Sequence, residues 1–160
     1  MIEDRAPSIK WLCVTTEENW KECLKHGIWG ASDNRSEGLK KIRVGDKLLV
    51  YIKKMKIVGI FRVTREHFYD SKKIWKNGIF PHRIGFEPTD KVLSDPVDIR
   101  SMYNKQIKPK KGLAGGYFGM GIRKLPEEEY TQFKSIIEEN IKKVPNVFVT
   151  GYNYPNLKSI

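Results

Sequence analysis

The run from Lys47 to Thr64, KLLVYIKKMKIVGIFRVT, constrains the fold more than any other part of the chain. Two β-prone apolar stretches, KLLVYI over 47–52 and IVGIFRVT over 57–64, are joined by the short basic turn KKMK. Branched and aromatic residues fit a pleated, half-buried surface, and two such runs around a short polar interruption read as a hairpin. VGD at 44–46 is the turn that leads into it. Whatever else the chain forms, it contains antiparallel sheet.

The remaining elements are read around that hairpin. IKWLCV, Ile9 to Val14, is apolar and β-prone and is expected to be the first strand. Thr15 with Glu18 three residues on is a capping-box pattern, and Gly27 supplies a C-terminal stop for a helix of about ten residues. In that helix Trp20, Cys23 and Leu24 recur at i, i+3 and i+4, which puts them on one face, toward the sheet. FPHRIGFE over 80–87 reads as another short strand after the polar, aromatic connection 67–78. SDPVDIRSMYN reads as a short helix, capped by Ser94 or Asp95 with Pro96 in its first turn. A basic, then glycine-rich loop is expected from Lys105 to Gly121.

Pro126 opens the clearest helix, over about 127–143, where Tyr130, Phe133, Ile136, Ile137 and Ile141 form an apolar stripe. Three glutamates at its start and two lysines at its end match the helix dipole. Residues 144–160 show no period and are expected to be a tail or linker, which leaves one domain over 9–143. Strands that do not alternate with long helices favour an α+β architecture, a mixed, barrel-like sheet with flanking helices, over a doubly wound fold.

Thirty Lys and Arg against nineteen Asp and Glu give a formal charge of +11, which points to a polyanionic partner. The bland alternative is a solvated, lysine-rich surface. Nowhere do 18 apolar residues run consecutively, and no signal-peptide pattern opens the chain, so a cytoplasmic protein without a membrane partner is expected. Cys13 and Cys23 have neither CxxC spacing nor a nearby His at ligand spacing, and read as reduced and buried.

GLAGGYFGMG lacks the GK[ST] ending of a phosphate loop, and His26, His67 and His82 belong to no metal pattern. Glu66, His67 and Asp70 are the polar cluster in the connection after the hairpin, and their spacing matches no catalytic pattern. With no catalytic constellation, no cofactor and no metal expected, a binding role is favoured over an enzyme.

Five segments taken in order, ENWKECLKHGIWGAS, GDKLLVYIKKMKIVGIFRVT, YDSKKIW, FPHRIGFEP and LPEEEY, resemble the EVE domain family, a PUA-like fold close to the YTH domain. The resemblance covers about Ile9 to Ile137. It implies a small PUA-like mixed β-barrel with flanking helices and a pocket that takes a modified base of DNA or RNA between aromatic side chains. It also implies that such a domain can be the N-terminal reader of a McrB-type restriction system, partnered by a fused or associated AAA+ GTPase and nuclease. Free-standing EVE proteins of similar length are the alternative.

Carried over residue by residue, Trp29 matches the first aromatic wall and Asn19 the amide that reads a ring nitrogen. Trp75 matches the second wall, and Thr15 and Ser32 fall where relatives contact base edges. No Trp follows Trp75 in its loop, so Ile79 or Phe80 has to serve as the third wall. The residues themselves agree in part. Trp20 follows the helix period and needs no function, whereas Trp29 comes after the helix stop, beside small residues.

Phosphate contacts are expected from Lys53, Lys54 and Lys56 in the hairpin turn and from Lys72, Lys73 and Lys76 around Trp75. Lys105, Lys108, Lys110 and Lys111 in the basic loop, with Arg83, complete the set. The functional expectation is a modified-base reader for methylated adenine or modified cytosine, with DNA ahead of RNA as partner. An RNA-binding accessory domain of PUA type that ignores modification is the alternative.

Overall fold

The computed structural model describes residues 8–102 and 121–143. In chain order the elements are β1 (Lys10–Thr15), α1 (Glu17–His26), β2 (Ile28–Ala31), β3 (Lys47–Ile52), β4 (Lys56–Tyr69), β5 (His82–Asp98), β6 (Ile122–Lys124) and α2 (Glu127–Lys143). Short 3-10 turns lie at Asp33–Arg35, Leu39–Lys41 and Arg100–Met102. Among these residues the six strands form one mixed sheet in the order β2-β5-β4-β3-β1-β6. β1 and β3 run parallel, and the other neighbours are antiparallel.

The sheet curls into a half-barrel because the β4–β5 ribbon is bent by repeated register shifts, from Ile57 through Phe68. Gly59 marks one of them: its φ is +154°, and a Cβ there would stand 2.6 Å from the Lys91 carbonyl oxygen. Both faces of the central strands are covered, which explains why β1 and β3 are apolar runs rather than alternating ones. On one face Trp11, Cys13, Leu48, Val50, Phe61 and Val63 pack with Trp20, Cys23 and Leu24 of α1. On the other, Leu12, Leu49, Tyr51 and Ile60 pack with Tyr130, Phe133, Ile136 and Ile137 of α2. Asp46, fully buried, fixes the start of β3 by accepting from the Ile9 and Arg43 amides (3.0 and 3.1 Å) and from Trp11 Nε1 (3.0 Å).

The hairpin and α2 match the sequence expectation, except that β4 runs on past Thr64 to Tyr69 and takes in the start of the expected connection 67–78, and α1 differs by one position. Its N-cap is Thr16, whose hydroxyl accepts from the Asn19 amide at 3.1 Å, and Gly27 closes it at φ +68°. That shift leaves Thr15 as the last residue of β1 instead of a cap. Over its described residues, 94–102, the helix expected at 94–104 is not formed: β5 runs on to Asp98, and only Arg100–Met102 turns. Pro96 is tolerated because β2 pairs β5 only over His82–Gly85, so β5 is an edge strand at Pro96, where a missing N–H breaks no ladder. The strand expected over 80–87 is thus the first third of a longer one. The short β2 and β6 were not foreseen, and the tail 144–160 and most of the expected loop 105–121 lie outside the described residues.

Candidate nucleic-acid interface

β2 and β6 are the two edges of the curled sheet, and a pocket opens between β2, the end of β1, α1 and the β4–β5 connection, with Gly121 just before β6 at its lining. It has a volume of about 140 Å³. β1 contributes Val14 and Thr15, α1 contributes Asn19 and Cys23, and β2 contributes Trp29 with Ala31. Trp75, Asn77 and Phe80 come from the β4–β5 connection, Lys53 from the hairpin turn, and Ser32 and Arg35 from the rim.

The two tryptophans are walls and core at once. Trp29 is 4% exposed and Trp75 2%, yet both line the cavity. Trp75 Nε1 donates to Cys23 Sγ at 3.3 Å, tying the connection to α1, and Phe80 meets the Trp75 ring edge-to-face at 5.6 Å. Gly30 lets this happen: a Cβ there would lie 2.6 Å from the Phe80 carbonyl oxygen and 2.7 Å from the Trp75 ring. Burial pushes the Cys23 thiol up to about 12, against hydrogen bonds from Trp75 and Thr15 that lower it, so it is a neutral group on the pocket floor. The Asn19 side-chain amide is half-buried at the pocket and makes no hydrogen bond among the described residues.

Arg83 corrects the expected phosphate set. Its side chain is fully buried and organises the loop that carries Trp75. The guanidinium donates to the carbonyl oxygens of Phe80 (3.1 Å), Ile79 (3.0 Å) and Lys72, lies 3.5 Å from the Asp70 carboxylate, and sits 5.1 Å from the centroid of the Trp75 ring. Three of its five N–H donors are spent on backbone carbonyls, and Nη1 is buried without a hydrogen bond beside the Asp70 carboxylate, so burial rather than a lack of donors closes this guanidinium to a phosphate.

The structure brings together Trp29, Trp75, Asn19, Thr15, Ser32 and Phe80, which were expected at the base, and Lys53 beside them. Phe80 lines the cavity whereas Ile79, the other choice for the third wall, is exposed and does not. Lys54 and Lys56 are exposed in the hairpin turn, and Lys72 is exposed in the pocket loop. Lys73 and Lys76 line a second groove, between α1 and that loop, which shares Asn19 and Trp75 with the pocket. Lys105, Lys108, Lys110 and Lys111 lie outside the described residues.

Glu66 pairs with Arg43 at 3.2 Å, Asp70 faces Arg83, and His67 bonds to His82 at 2.8 Å; none of the three lines the pocket. Arg35, Asn77 and Cys23 are pocket residues that sequence reasoning did not single out. Cys23 could have been found, since it lies one helical turn beyond Asn19.

A curled, six-stranded mixed sheet flanked by two helices places the chain among PUA-like domains. Residues 10–137 match the EVE domain, and the chain belongs to that family. It is 30% identical over 144 residues to the UPF0310 protein PH1033 of Pyrococcus horikoshii, covering 79% of this chain and 97% of that one. To the UPF0310 protein PYRAB08750 of Pyrococcus abyssi it is 32% identical over 142 residues, with 79% and 98% covered. Two solved structures share the fold at low identity. The YTH domain of Zygosaccharomyces rouxii MRB1, in complex with N6-methyladenosine RNA, superposes with a TM-score of 0.59 at 15% identity over 86% of this chain and 92% of that one. Human THYN1, in complex with 5-methylcytosine-containing DNA, gives 0.59 at 14% identity over 82% and 98%.

Proposed function

We propose that this EVE domain is a nucleic-acid-binding module that holds one modified base, a methylated adenine or a modified cytosine, in the pocket between Trp29, Trp75 and Phe80. Basic side chains around the mouth hold the backbone, and no reaction follows binding. The observation that carries this reading is an apolar slot with three aromatic walls and one amide, Asn19, that has no partner of its own among the described residues. About 140 Å³ is small beside the roughly 300–1,000 Å³ of pockets for drug-sized ligands, a size for one ring system rather than a nucleotide. Two proteins of this fold, solved in complex with N6-methyladenosine RNA and with 5-methylcytosine-containing DNA, support the same class of partner here.

The energies are consistent with a reader. Extracting a base from a duplex costs a few kcal/mol, and stacking returns about 1–3 kcal/mol per aromatic contact. Pocket and flip therefore nearly cancel, and phosphate contacts supply net affinity. Burying one methyl contributes only about 0.8 kcal/mol, roughly fourfold, so sharper preference for a modified base needs a hydrogen-bonding term as well. Asn19, with a donor and an acceptor on one amide, is placed to supply it.

Removing either tryptophan outright is a poor test, because truncating a buried aromatic costs about 3–5 kcal/mol and threatens the fold. Asn19→Ala removes only the unpartnered amide. In titrations followed by tryptophan fluorescence, wild type is expected to prefer oligonucleotides carrying N6-methyladenine or 5-methylcytosine over unmodified ones. Asn19→Ala is expected to lose roughly tenfold for the preferred base, with its melting temperature unchanged. Equal binding of modified and unmodified strands by wild type would overturn the reading and favour an RNA-binding domain blind to modification.

A further inference from the structure

Among the described residues, the pocket lining carries positive charge and no negative charge. Arg35 and Lys53 line it, and no described Asp or Glu does. The Arg35 side chain is exposed and has no ion pair or hydrogen bond among the described residues. A third cation stands against the wall itself, since the buried Arg83 guanidinium lies 5.1 Å from the centre of the Trp75 ring. The carboxylates nearby are committed or displaced. Asp70 faces Arg83, and Asp33 is 2.6 Å from His82 Nε2. Glu18 and Glu22 line the neighbouring groove, together with Lys21, Lys73 and Lys76. The thiol on the floor is held neutral by burial.

Aromatic walls alone do not decide what charge a base pocket prefers. The negative face of an indole attracts cations, so a tryptophan slot suits a cationic base as well as a neutral one. Here that attraction is already used on Trp75 by Arg83. An incoming cationic base would meet Arg35 at the mouth, with no carboxylate among the described lining residues to receive it, and a like charge in a partly desolvated site is disfavoured.

We infer that the pocket selects among modified bases by charge, accepting neutral or anionic ones and rejecting those in which methylation fixes a positive charge on the ring. This rests on the base-reader function proposed above and adds to it the class of ligand. N6-methyladenine and 5-methylcytosine fall on the accepted side, with 5-carboxylcytosine. 1-Methyladenine, 3-methylcytosine and 7-methylguanine fall on the rejected side.

Two isomer pairs isolate charge from size. N6-methyladenine and 1-methyladenine carry the same atoms, as do 5-methylcytosine and 3-methylcytosine, but the second of each pair is cationic at neutral pH. Each base is placed at the centre of an otherwise identical single strand, so no duplex has to open, and binding is titrated with the full chain. Within the pair that binds better than its unmodified parent, the neutral isomer is expected to bind roughly tenfold more tightly, and 5-carboxylcytosine at least as tightly as 5-methylcytosine. Arg35→Gln and, separately, Asn77→Asp, which adds a carboxylate to the lining, are expected to narrow the gap between isomers about threefold or more. A cationic isomer that binds as well as its neutral partner would overturn the inference, as would a gap indifferent to both substitutions. Indifference of wild type to every modification would instead remove the reader function on which it stands.

Discussion

Gly30 shows how closely one residue's missing side chain is tied to the pocket. Any Cβ at this position would collide with the Phe80 carbonyl oxygen and the Trp75 ring, both under 3 Å away. Neither can retreat freely, because Trp75 is tied to Cys23 and Phe80 carries its own strained backbone at φ +46°. Gly30→Ala is therefore expected to displace the Trp75 wall, costing about 1–3 kcal/mol of stability as overpacking does. The base-dependent fluorescence change should be lost with it. Thermal melts and the same titrations check this, and an unchanged melting temperature with intact binding would show that the wall yields easily. At this scale the sequence was informative where periodicity applied. Trp20 could be assigned to the core, and it packs edge-to-face on Phe61 at 5.2 Å and parallel to Phe86 at 5.6 Å. Arg83 could not be read, since nothing local distinguishes an arginine that bonds three carbonyls across a loop from one that waits for a phosphate.

Between elements, a chain of hydrogen bonds joins β4, β5 and the 3-10 turn at the pocket rim. His67 Nε2 and His82 Nδ1 are 2.8 Å apart with their rings stacked, and His82 Nε2 reaches Asp33 Oδ1 at 2.6 Å. Asp33 opens the turn that holds Arg35 and follows Ser32, both pocket-lining residues. Two imidazoles can share one proton along this chain, but a second proton sets two donors face to face. Burial, then the neighbouring His82, then Lys40 lower the His67 pKa below the ordinary imidazole value. A depressed folded-state pKa gives stability that is present above about pH 6.5 and is lost as the pH falls below it. The melting temperature of wild type is expected to drop between about pH 7 and 5 more steeply than that of His67→Gln, which can donate to His82 but cannot titrate. Parallel curves would remove His67 from the linkage. The elements themselves were legible where the pattern was long. α2 followed from five apolar residues in register, but the local Ser-Asp-Pro start near 94 mimicked a helix cap in a segment that β4 recruits as strand, through pairs such as Val97 with Ile57.

For the whole molecule, the pocket exists because the fold brings together residues as far apart in the chain as Val14, Trp29, Trp75 and Gly121, and no local pattern announces that meeting. The formal charge of +11 was legible from composition, but its distribution was not: the structure leaves Lys53, Lys54, Lys56, Lys72, Lys73 and Lys76 exposed on the turn and loop that border the pocket, and withdraws Arg83. A backbone held by these lysines displaces counterions, so affinity must fall with salt, with a log–log slope of about −0.7 per neutralised phosphate of a single strand. Replacing Lys72, Lys73 and Lys76 together by glutamine is expected to flatten that slope by about 2 if each meets one phosphate. Affinity for modified and unmodified strands should fall by the same factor, because phosphates carry no base identity. The preference for the modified base should consequently survive the triple change, while Asn19→Ala cuts it toward the roughly fourfold that methyl burial supplies and leaves the slope alone. Titrations at several salt concentrations separate the two contributions. A slope that does not move would return these lysines to solvent and shift the backbone contacts to Lys53, Lys54 and Lys56 of the hairpin.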